Sequence, residues 1–105
     1  MIYHIVYFQL KPEVDVALME ELVRTSRSLL LKIPEVLSVR SGRNVVLESQ
    51  WQFFFSIEVD SLEKLKITRD DPFYLKFEEK YIKPNTSSQF SMDFELDPSK
   101  KLKYS

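Results

Sequence analysis

Residues 2–10 read Ile-Tyr-His-Ile-Val-Tyr-Phe-Gln-Leu, with apolar or aromatic side chains at both odd and even positions. A strand sends alternate side chains to opposite faces, so a segment of this kind has to be covered on both sides. Pro12 ends it, and from Asp15 the period changes. Met19, Leu22, Val23, Leu30 and Ile33 recur at helical spacing while Glu20, Arg24, Arg27 and Lys32 fall off that stripe, which predicts an amphipathic helix. Asp15 is placed to cap it, Glu20 and Arg24 to form an i,i+4 ion pair, and Pro34 to stop it.

A second strand is predicted from Val36 to about Val45, and it holds Gly42, the single glycine of the chain. A glycine inside a strand marks a bulge or a close backbone approach, so a bend is expected there. A turn near Val46–Ser49 leads to a third strand, Trp51–Val59, whose Phe53-Phe54-Phe55 run puts aromatics on both faces. Asp60, Ser61 and Glu63 read as a capping box in which Asp60 caps and Glu63 reaches back, opening a short helix with Leu62, Leu65 and Ile67. Asp71-Pro72 restarts the helix; Tyr74, Phe77 and Tyr81 share a face before Pro84 and Asn85 close it. Gln89–Leu96 then alternates, with Phe90, Met92, Phe94 and Leu96 on one side. The chain reads as one domain over residues 1–97, followed by a lysine-rich tail over 98–105 that is expected to fray.

The order β, α, β, β, α, β predicts an α+β, ferredoxin-like fold: a four-stranded antiparallel sheet with both helices on one face. His4, Val6 and Phe8 are assigned to the helix side, which leaves Tyr3, Ile5, Tyr7, Gln9 and Phe54 on a bare face. Each large apolar side chain left wet forfeits roughly 1.5 to 3 kcal/mol, so a second copy packed sheet to sheet is the expected cover. Tyr3, Ile5, Tyr7, Arg40, Phe54 and Glu58 are the predicted dimer interface, with Arg40 and Glu58 paired. Gln52, Ser56, Gln89, Ser91, Asp93 and Glu95 would line its polar part.

Several functions are disfavoured by the residues themselves. Fifteen basic against sixteen acidic residues give a net charge of -1, which supplies no field for nucleic acid or anionic membrane. The longest uncharged run is well short of a membrane span. With no cysteine and one histidine, neither a Cys- or His-based metal cage nor a thiolate nucleophile can be assembled within the chain, and no glycine-rich phosphate loop is present. No metal and no cofactor are expected, and the location expected is the cytoplasm. Asp70 and Asp71 read as helix-capping residues, the alternative being a cation site. The interspersed Lys and Glu of the later helices read as an ordinary charged surface, and Arg43 with Asn44 as a solvated pair beside a turn, the alternative being contact with an anionic ligand or the partner subunit.

The segments YHIVYFQLKPE (Tyr3 to Glu13), KIPEVLSVRSGRN (Lys32 to Asn44), VDSLEKL (Val59 to Leu65) and DPFYLKFEEKYIKP (Asp71 to Pro84) resemble the stress-responsive dimeric α/β-barrel family over nearly the whole chain. The resemblance implies a homodimer whose two sheets close into a barrel, and stress-linked physiology. It leaves the reaction open, because the wider superfamily hosts monooxygenases, isomerases and binding modules. Its plant polyketide cyclases set a strand-one histidine, a helix histidine and a helix tyrosine around a pocket between sheet and helices. His4 matches the first of these, whereas Tyr74 and Thr68 occupy the positions of the other two.

His4 titrates near neutrality when unperturbed, and as a general base it would need a substrate hydroxyl within hydrogen-bond reach, with Tyr74 or Glu78 on the facing helix as the candidate partner. His4 and Tyr74 are therefore the candidate catalytic pair, against a core histidine bonded to a backbone carbonyl or to Tyr74. The candidate ligand-binding set is His4, Val6, Phe8, Leu22, Ser26, Phe55, Tyr74, Phe77 and Glu78, with Trp51, Phe53 and Tyr81 as further aromatics that either line a pocket or fill it. Three functions are consistent with these residues. The first is a homodimeric domain binding a small apolar or aromatic molecule between sheet and helices. The second is a cofactor-free cyclase, isomerase or monooxygenase-like enzyme using His4 and Tyr74. The third is a structural or interaction module with a filled core.

Overall fold

A computed structural model describes residues 1–96; the tail expected over 98–105 lies outside the described residues. The chain runs β1 (Ile2–Leu10), α1 (Val16–Leu30), β2 (Ser38–Arg43), β3 (Phe53–Val59), α2 (Leu62–Arg69), α3 (Pro72–Phe77), a π-helical turn (Glu78–Ile82) and β4 (Thr86–Glu95). The strands form one antiparallel sheet in the order β2-β3-β1-β4. This is the ferredoxin-like arrangement that the element order predicts, and β1, apolar on both faces, is an inner strand.

Local chemistry explains most element ends. Asp15 caps α1, its carboxylate accepting from Leu18 N at 2.8 Å, and Asp71 caps α3 in the same way through Phe73 N, with Pro72 in the first helical position. Ser61, rather than Asp60, caps α2: its hydroxyl accepts from Lys64 N at 3.2 Å. β2 begins at Ser38 and not Val36, because Val36 N is drawn into a turn on Ile33 O. β4 begins at Thr86, three residues before Gln89, where Thr86 and Ser88 pair with Leu10 and Gln9 without any apolar alternation to announce them. The final helix ends in a π turn closed by Lys83 N on Glu78 O, which the sequence pattern does not announce either.

Gly42 makes no bulge. The β2–β3 register runs unbroken through Gly42 opposite Phe54, and a Cβ at this position would stand 3.2 Å from Phe54 Cε1. The glycine serves close approach of a ring, and the register shift that does occur lies between Gln9 and Leu10 against β4.

The helix-side core is built from Val6, Phe8, Phe53, Phe55 and Ile57 of the sheet against Leu22, Leu30, Leu65, Tyr74 and Phe77, all buried. The other face is open. Tyr3, Ile5 and Tyr7 lie there, and the β1–β4 register sets them opposite Phe94, Met92 and Phe90. Tyr7 stacks on Phe90 with centroids 4.8 Å apart, and Trp51, expected among the pocket aromatics, instead meets the same ring edge-on at 4.6 Å.

The register also corrects the expected rim. Odd-numbered residues of β1 meet even-numbered residues of β4, so Gln89, Ser91, Asp93 and Glu95 fall on the helix side, and the apolar side of β4 joins the open face. Arg40 sits opposite Ser56 and Glu58 opposite Ser38, both on the open face. Among the described residues of one chain, neither Arg40 with Glu58 nor Glu20 with Arg24 forms an ion pair.

Candidate functional site

β1 carries His4 on its helix-facing side, between Ile57 of β3 and Asp93 of β4 in register. The imidazole is 2% exposed. Its Nδ1 lies 2.5 Å from Asp93 Oδ1, while Asp93 Oδ2 lies 3.9 Å from the Arg69 guanidinium at the end of α2. An ionised carboxylate only accepts hydrogen bonds, so Nδ1 carries a proton, and in the neutral ring Nε2 then keeps its lone pair. That Nε2 is buried and has no partner, an uncommon state for a buried polar atom.

Burial pushes the His4 pKa below the ordinary 6.5; the hydrogen bond and charge of Asp93 act the other way without overcoming it. The ring is therefore neutral at neutral pH. Tyr74 of α3 is pushed up to about 12, first by burial and then by the charge of Glu78, so its hydroxyl stays protonated. The ring of Phe55 lies edge-on to both, with centroids 6.3 Å from each.

The other sequence-predicted residues gather in the same layer. Val6, Phe8 and Phe55 come from the sheet, Leu22 and Ser26 from α1, and Tyr74 and Phe77 from α3; all are buried, and Glu78 at the start of the π turn is half-buried. Much of this space is occupied by rings: Phe8 stacks on Phe55 at 5.8 Å, and Phe77 meets Phe55 edge-on at 5.6 Å. Ser26 spends its hydroxyl on Val23 O at 2.7 Å. A groove of about 480 Å³ opens beside Asp93, walled by Leu62, Glu63, Leu65, Lys66 and Arg69 of α2. The expected interface residues Tyr3, Ile5, Tyr7, Arg40, Phe54 and Glu58 share the open face, where a second groove of about 450 Å³ runs past Tyr7, Trp51, Phe54 and Phe90.

Asp93 and Arg69 are the site residues that sequence reasoning missed. Asp93 sits in an alternating strand whose facing depends on its register with β1, and Arg69 is one charge among several on a short helix. Among the described residues no group of three or more His, Cys, Asp or Glu side chains is placed to hold a metal ion, and no helix is long and apolar enough to cross a membrane.

The model of the stress responsive A/B barrel domain matches residues 2–96. No curated protein matches the chain. Among solved structures, a dimeric ferredoxin-like protein of unknown function from Thermobifida fusca is 21% identical with a TM-score of 0.80, covering 90% of each chain. A Dabb family protein with a ferredoxin-like fold from Mesorhizobium loti is 20% identical with a TM-score of 0.78, covering 90% of this chain and 95% of that one. The hydroxynitrile lyase of Passiflora edulis is 13% identical with a TM-score of 0.77, covering 92% of this chain and 94% of that one. At these identities the likeness establishes the fold.

Proposed function

This chain belongs to the stress responsive A/B barrel domain family, and from that premise we propose that it is a homodimer that binds a small, largely apolar or aromatic molecule and moves a proton on it without a cofactor. His4 is the base and Tyr74 the donor. The observation that carries this reading is the state of the His4 ring: Nδ1 is held by Asp93, and Nε2 is buried, unprotonated and unpartnered. A carboxylate that fixes one ring nitrogen sets the tautomer and orientation of the other, which is the arrangement a general base needs. The lowered pKa keeps that nitrogen unprotonated at neutral pH and so free to accept a proton, and the raised one keeps Tyr74 able to donate to a developing oxyanion.

The residues expected to bind the ligand (Val6, Phe8, Leu22, Ser26, Phe55, Phe77 and Glu78) surround this pair. Their rings pack against one another, so a substrate has to part them to reach the pair, and the groove beside Asp93 offers an approach from solvent. The homodimer is supported by the dimeric neighbours and by the open face, where Phe90, Met92 and Phe94 are 38%, 38% and 49% exposed in one protomer. The protein's place is the cytoplasm. That a structural neighbour is a hydroxynitrile lyase supports small-molecule chemistry on this scaffold.

The test is deuterium exchange at the α-carbon of aryl ketones and β-diketones in D2O, followed by NMR, with wild type, His4→Ala and Tyr74→Phe. The expected result is catalysed exchange of at least one ketone, lost in His4→Ala and reduced in Tyr74→Phe. Exchange no faster than buffer across the panel, or unchanged in folded His4→Ala, overturns the reading. The outcome would then favour the filled core, whose specific support is the stacking of Phe53 on Phe8 at 5.5 Å.

A further inference from the structure

A third groove, about 370 Å³ in volume, lies between α1 and the edge strand β2, within the range of roughly 300–1,000 Å³ typical of small-molecule sites. It shares no residue with the site around His4. Arg24 and Arg27 enter it from α1 and Arg43 from β2, over a floor made by Met19, Val23 and the backbone of Gly42.

The charge here is net positive and unpaired. Arg24 and Arg27 stand three residues apart on one helix face, a like-charge spacing that slightly destabilises a helix. Glu20 lies in the same groove yet pairs with neither, and no ion pair involves Arg24, Arg27 or Arg43 among the described residues. A guanidinium is a planar fork suited to bidentate contact with a carboxylate, and arginines stand on both walls of this groove. The walls are also fixed before any ligand arrives: Ser41 of β2 donates to Val23 O of α1 at 3.0 Å, and a pre-set separation lowers the ordering cost of binding.

We infer that this groove binds a small carboxylate with a flat apolar body, the carboxylate on the arginines and the body on Met19 and Val23. The inference is independent of the chemistry proposed for His4.

The experiment is an NMR titration of the 15N-labelled full chain with 1-naphthoate and, in parallel, the uncharged 1-naphthalenemethanol. Val23 and Arg27 line this groove and not the one on the open face, so their amides report it, with Trp51 as the reporter of the open face. Naphthoate is expected to shift Val23 and Arg27 saturably. The alcohol and the double variant Arg24→Gln/Arg27→Gln should bind at least about tenfold more weakly, the scale of losing a charge-assisted hydrogen bond. Glu20→Gln should bind more tightly, and His4→Ala as well as wild type. Non-saturating shifts, shifts centred on Trp51 instead of Val23, or equal affinity in the double-arginine variant overturn it. Circular dichroism of each variant establishes that an affinity loss is not a folding loss.

Discussion

Asp93 Oδ1 and His4 Nδ1 lie 2.5 Å apart across 89 residues of chain, joined because β1 and β4 are neighbours in the sheet. The same carboxylate reaches toward Arg69 with its other oxygen, so one side chain couples the sheet to the end of α2. Asp93→Asn keeps the shape and removes the charge that favours protonated His4. The His4 pKa is expected to fall further. Catalysed ketone exchange should drop by about 10²–10⁴-fold, the range of a general base's contribution. 15N spectra of the lone histidine report tautomer and titration together; a variant with wild-type exchange would remove Asp93 from the mechanism.

The direction of the His4 shift fixes a pH dependence of stability. Its folded pKa lies below the unfolded 6.5, so between those two values the unfolded chain binds more protons than the folded one. Stability therefore rises with pH through that window and is lost as pH falls below 6.5. Urea denaturation from pH 5 to 8 should show this slope in wild type and a flatter profile in His4→Gln. A wild-type stability that declines as pH rises through the same interval would mean that the histidine is held charged.

Much of the architecture is legible in the sequence because it rests on local chemistry. The two-sided apolar run of β1, the Asp15 cap and the Asp71-Pro72 restart each need only a few neighbouring residues to be understood. What escapes is register. The alternation of β4 is plain, but whether Phe90 or Asp93 faces the helices depends on a pairing between segments at opposite ends of the chain, and a slip of one residue exchanges the two faces. His4 and Tyr74 stand out by residue type; Asp93 and Arg69 acquire their meaning only from that pairing. Gly42 shows the same limit, since a bulge and a close ring contact leave the same single-residue signal.

The cap of α2 separates two neighbouring candidates. Ser61 accepts from Lys64 N, and its loss leaves that amide without its side-chain partner. Ser61→Ala is expected to destabilise by about 1 kcal/mol, the usual cost of losing a cap, whereas Asp60→Ala, at an exposed position, should stay within about 0.5 kcal/mol. Urea midpoints at constant m-value measure both. The reverse ranking would return the cap to Asp60.

The open face yields the last expectation. Ile5 lies opposite Met92 and Tyr7 stacks on Phe90, and these side chains form the centre of an apolar surface that one chain's helices do not reach. Covering a side chain of this size is worth roughly 1.5 to 3 kcal/mol, so a handful of them suffices to drive association once orientational costs are met. Met92→Glu puts a carboxylate at the centre of that surface, where burial in a dimer would strip its hydration without supplying a partner. The folded variant is expected to be monomeric at micromolar concentration by light scattering, while Lys76→Glu on the exposed side of α3 leaves the dimer intact. A Met92→Glu protein that still dimerises would move the interface away from this face, and with it the reason Tyr3, Tyr7 and Phe54 are aromatic.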